Sequence, residues 1–80
     1  MTQEKMDYVH GCLNFSINAL TGNLKETDAM SKALLPDVSA EIDTLFGEEF
    51  GSGEVHYCLM RVLKRKFGMK VEDNFEKLSL

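Results

Sequence analysis

An all-α fold is what this sequence predicts, and three observations carry it. Apolar residues recur at spacings of three and four in four separate segments, which is the period of an amphipathic helix. Thr, Ser, Asp, Gly and the single proline fall between those segments, where helices start and stop. The apolar fraction of 44% and the charged fraction of 28% are those of an ordinary globular protein, which excludes wholesale disorder. Eighty residues make one domain, 1–80, with a core small enough to benefit from a disulfide, a metal or a second subunit.

The first helix opens at Thr2, a good N-cap, with Glu4 in its first turn. Met6, Val9, Leu13, Ile17 and Leu20 form one apolar row; Tyr8, Cys12, Phe15 and Ala19 form a second. Asp7, His10, Gly11, Asn14, Asn18 and Thr21 share the remaining face. From Tyr8 to Leu24 there is no Asp, Glu, Lys or Arg. Outward faces of surface helices usually carry charge, so this helix is expected at the centre of the fold or in a homodimer interface. Polar side chains interrupt the run, and it is no membrane span. Gly22 or Asn23 ends the helix.

A second, short helix is expected from an N-cap at Thr27, carrying Ala29, Met30, Ala33 and Leu34. Pro36 closes it and can sit in the first turn of a third, formed by Val38, Ile42, Leu45 and Phe46 with Gly47 as the C-cap. The glycine-rich stretch 47–53 is a loop. Ser52 is expected to cap a fourth helix whose stripe is Val55, Cys58, Leu59, Val62, Leu63 and Phe67, stopped by Gly68. Asp73 is placed as the cap of a short C-terminal helical turn. The expected architecture is therefore a small four-helix domain with that added turn.

An internal repeat qualifies this. Val9-His10-Gly11-Cys12-Leu13 recurs as Val55-His56-Tyr57-Cys58-Leu59, and the two copies use every histidine and cysteine of the chain. Gly22 and Gly68 match at the same offset. A duplicated helical hairpin around a linker helix is one reading; coincidence between amphipathic helices is the other.

Two His and two Cys suffice for a tetrahedral zinc site. Residues two apart on a helix, however, point about 200° from each other. His10 and Cys12 cannot grip one ion from a regular helix, nor can His56 and Cys58. We therefore assign no metal ligand and no cofactor. Cys12 and Cys58 are read as small buried hydrophobes, with a disulfide or a small metal-binding protein as the alternatives. His10 and His56 are read as boundary imidazoles. No phosphate loop or nucleophile motif is present, so the chain reads as no enzyme. Asp43 to Glu54 places acids at the first and twelfth positions of a calcium loop, but Leu45, Gly47 and Glu48 occupy positions that need ligands or glycine.

Net charge is −4, unevenly spread: residues 1–60 balance at −7, 61–70 at +5 and 71–80 at −2. Arg61, Lys64 and Arg65 share one face of the helix over 54–67 and are the candidate partner-binding residues. Cations in a last helical turn also complement the helix dipole. Reading DNA with this helix would put Glu54, His56 and Tyr57 where base contacts usually lie, and the acidic body opposes nucleic acid. The expected function is a non-enzymatic interaction or regulatory protein with a protein partner. The alternative is a nucleic-acid-binding, helix-turn-helix-like regulator. Thr-Gln-Glu-Lys after Met1 offers no secretion signal, so the expected address is cytoplasmic, with reduced thiols.

The stretch Phe67-Gly68-Met69-Lys70-Val71-Glu72-Asp73-Asn74-Phe75-Glu76-Lys77-Leu78-Ser79-Leu80 resembles the loop of acyl carrier proteins that precedes the prosthetic-group serine. The resemblance covers these fourteen residues. The Asp-Ser-Leu attachment motif and the acidic recognition helix of that family have no counterpart in the sequence. It implies no fold, cofactor or site residue here.

Overall fold

The computed structural model describes residues 1–68, which form three α-helices: α1 (Gln3–Thr21), α2 (Leu24–Leu45) and α3 (Ser52–Phe67). Each helix packs against both others. No strand occurs among the described residues. The C-terminal turn, which is the short helix of the second hairpin in the duplicated reading, and nearly all of the acyl-carrier-like stretch lie outside them.

Local chemistry sets the helix ends. Thr2 accepts the backbone N–H of Lys5 at 3.2 Å and starts α1. Gly22 ends it in the left-handed region, φ 67°, returning its N–H to the Asn18 carbonyl. The next residue starts α2: the Asn23 side-chain oxygen accepts from Lys25 and Glu26 N–H at 3.0 and 3.2 Å. That cap corrects the expected start at Thr27. Thr27 sits inside α2, buried, with its hydroxyl donated to the Asn23 carbonyl at 2.8 Å. At the other end of α2, Gly47 (φ 68°) sends its N–H back to Ile42. Gly51, not Ser52, caps α3; Glu54 reaches back to accept the Gly51 N–H at 3.2 Å. Gly68 stops α3 in the same left-handed form as Gly22.

Three helices replace the expected four because α2 runs through Pro36. A proline inside a helix lacks one hydrogen bond and crowds the carbonyl four residues back, a cost of about 3 kcal/mol. Leu34, Val38 and Ile42 flank it at helical spacing and are all buried. Each contributes about 1.5–3 kcal/mol on burial, so keeping one face continuous outweighs the proline. Pro36 itself points outward.

The core is one stripe from each helix. Val9, Leu13 and Ile17 come from α1, Leu34, Val38 and Ile42 from α2, and Val55, Cys58, Leu59, Val62 and Leu63 from α3. Between the large residues of α2 lie buried Thr27, Ser31 and Ser39, whose short side chains let the neighbouring helices close in. The first apolar row of α1 is thus the core row, except that Met6 is half-buried and Leu20 exposed. Of the second row only Cys12 packs against the core, half-buried, while Tyr8, Phe15 and Ala19 are exposed, and α1 is a flank of the bundle instead of its centre.

Two substitutions separate these effects. Leu13→Ala is expected to lower the free energy of unfolding by about 2–5 kcal/mol. Pro36→Ala is expected to raise it by about 1–3 kcal/mol, by restoring a helical N–H and removing the ring. Urea denaturation followed by circular dichroism measures both. A neutral or destabilising Pro36→Ala would contradict an unbroken α2.

Candidate functional site

Packing one row of α1 inward turns its second row outward. Phe15 is 76% exposed and Tyr8 47%. Cys12, between them, is half-buried against the core. Tyr8 leans on Phe50 of the loop before α3, with ring centroids 6.1 Å apart and planes tilted by 49°. Lys5 covers the same ring at 6.0 Å and donates to the Glu48 carbonyl at 2.7 Å. Leu24, the first residue of α2, is also 76% exposed.

Phe15 stands as a ridge between two grooves. One, of about 380 Å³, runs between α1 and α3; Tyr8, Gly11, Cys12 and Phe15 line one side, Ser52 and His56 the other. The second, of about 470 Å³, lies between α1 and the start of α2 and is lined by Asn14, Phe15, Asn18, Leu24 and Thr27. The charged side chains at their rims, Asp7 and Asp28, are acidic. An exposed apolar patch rimmed by polar groups marks a binding surface.

The two His/Cys copies pack side by side, with Cys12 and His56 on facing walls of one groove, but their four side chains do not converge on a point. Among the described residues no group of three or more His, Cys, Asp or Glu side chains is placed to hold a metal ion. Both cysteines are free thiols. Burial pushes the Cys58 thiol up to about 11, so it is protonated and inert at neutral pH. Cys12 is raised too, chiefly by burial. His10 is half-buried, with its Nε2 enclosed and without a hydrogen-bond partner.

His56 crosses from α3 to meet Ser16 of α1. The Ser16 hydroxyl also donates to the Cys12 carbonyl at 2.9 Å. It has one proton, so it accepts from the His56 Nδ1–H. Burial lowers the His56 pKa below the usual histidine value. A serine beside a histidine has the parts of a nucleophile, but Ser16 is 2% exposed and sealed from any substrate. The contact is a polar tie between two helices. The sequence pattern did not show it, because Ser16 lies off both apolar rows and its partner is forty residues away.

The basic segment is drawn onto α2. Arg61 Nε donates to Glu41 Oε1 at 2.9 Å and Arg65 Nη1 to Glu41 Oε2 at 3.3 Å. Arg61 also lies over the Tyr57 ring at 5.7 Å. Lys66 pairs with Asp37. Lys64 is exposed. The hydrogen bond from Arg61, with Arg65 beside it, holds the Glu41 carboxyl below its ordinary pKa. Two of the three candidate residues on this face therefore brace α3 against α2. The signal was present in the sequence as acids four apart, Asp37 and Glu41, matching the cations of 61–66, but it needs the helix pairing to be read.

Comparison with family models, with curated proteins and with solved structures yields no match for this chain. Among the described residues no helix is long and apolar enough to cross a membrane.

His56 and Glu41 act in separate pH windows. His56 is held neutral in the fold, so as pH falls through about 6.5 the unfolded chain takes up the proton first and stability drops. Glu41 is held ionised, so its contribution is complete above about pH 4.3 and is lost as pH falls through its lower folded value. His56→Gln is expected to flatten the first decline and Glu41→Gln the second, read from urea midpoints across the range. Identical profiles for wild type and both variants would refute these two contacts. Native alkylation with iodoacetamide at neutral pH is expected to modify Cys12 before Cys58, as mass spectrometry of tryptic peptides would show. Equal labelling would mean that Cys58 is not enclosed.

Proposed function

We propose that this protein is a non-enzymatic interaction protein that binds another macromolecule through a helical surface, and that the surface is the outer face of α1. The observation that carries the reading is the exposure of Phe15, 76%, beside two grooves on a helix with no charged residue from Tyr8 onward, with Leu24 at the start of α2 equally exposed next to it. Neither side chain stabilises the bundle, and both would lose water contact against a partner. Aromatic residues at the centre of a patch are the usual anchors of an interface. The acids at the rim, Asp7 and Asp28, fit the polar border that such patches carry.

The reading separates stability from binding. Phe15→Ser is expected to change the free energy of unfolding by no more than about 0.5 kcal/mol, as exposed substitutions do. The test of binding places a photo-crosslinking amino acid at position 15 and, as a control, at the exposed position 40 on α2. Irradiation in extracts of the native host is expected to give a discrete adduct from position 15 only, suppressed by excess unmodified chain. Adducts of equal yield from both positions, or none from position 15, would remove the α1 face as the working surface.

A further inference from the structure

The outer face of α1 carries both halves of a helix-packing joint. Tyr8, Gly11, Cys12 and Phe15 stand at i, i+3, i+4 and i+7, the four corners of the hole that receives a knob from a facing helix. Together with Asp7 at the rim they are also the α1 wall of the 380 Å³ groove. Gly11 makes the hole deep: a Cβ built there meets no atom within 4 Å. The knob is on the same face, because Phe15, a corner of the hole, is itself 76% exposed. A surface that presents a knob and an empty hole side by side is self-complementary, which is what a two-fold interface requires.

Resting on the reading of α1 as the working surface, the geometry points to a second copy of this chain as its occupant: two α1 helices pair antiparallel, with Phe15 of each seated over Gly11 of the other. Charge sets the direction. The chain carries −4 overall, so two copies repel unless the contact avoids their acids. Seating Phe15 in the hole puts the two-fold axis near Leu13. Asp7 then lies opposite Ala19 of the other copy and Glu4 opposite Gly22, so no acid of one α1 faces an acid of the other α1. A parallel pairing would set Asp7 against Asp7 and Phe15 against Phe15, leaving both holes empty. A small domain with few core side chains also gains most from burying such a face.

Sedimentation equilibrium of the whole chain tests this. Wild type is expected to associate to twice the monomer mass of 9.0 kDa as concentration rises. Phe15→Glu removes the knob, and Gly11→Leu fills the hole. Each is expected to weaken association about thirty-fold or more, as loss of a central anchor does. Gly11→Leu carries the decisive weight: leucine is the better helix former, so its melting temperature should hold or rise while the dimer is lost. A wild type that stays monomeric overturns the pairing; if position 15 still gives its discrete crosslink to another macromolecule, the α1 surface stands and only its occupant is wrong. A wild type whose association neither variant alters places the dimer contact elsewhere and overturns this geometry as well. Monomer together with no crosslink from position 15 would remove both readings.

Discussion

Three apolar stripes, one per helix, close on each other, and the rest of the molecule follows from how they are shared. Val9, Leu13 and Ile17 face Leu34, Val38 and Ile42 and the stripe from Val55 to Leu63. A helix turns one arc toward its neighbours. α1 has two apolar rows, and only one of them fits that arc. The row with the larger aliphatic side chains is inside, and the row with Tyr8 and Phe15 is outside. The exposed surface is thus a by-product of the core and not an addition to it.

The polar contacts refine this arrangement. Glu41 takes Arg61 and Arg65 together, and Lys66 meets Asp37, so the seam between α2 and α3 is laced on its outer side. The acid is mostly enclosed while the guanidiniums remain open to water, and screening keeps such pairs modest. Their effect is orientation: they fix which side of α3 faces α2, and so which side, with His56 and Ser52, faces α1. His56 then closes the α1 side through Ser16. A basic segment that looks like a partner-binding face in one dimension works largely within the bundle in three.

Much of this was legible in the sequence. The all-α class, the Thr2 cap, the glycine stops at 22 and 68 and nearly every core residue follow from spacing and cap chemistry, which act within a few residues. The reading of Cys58 as a packing group follows from the same spacing. What was missed has a common cause. Pro36 reads as a boundary when judged locally, but burial on either side of it carries the helix through. Asn23 and Thr27 are both good caps; the helix begins at the earlier one because Thr27 is drawn into the interface with α1. Ser16 lies on no apolar row, and only the approach of α3 buries it.

The chain alone determined its period, the Thr2 cap and the Gly68 stop, which depend on neighbours three or four residues away, and its charge order. It also determined that α1 has more apolar surface than a surface helix needs. Only the tertiary structure decided which row is buried, which cations meet Glu41, and that Phe15 stands in water beside an empty groove. Those outcomes depend on how three helices rotate to share one core, and no residue encodes that rotation until its partners on the other two helices are in place.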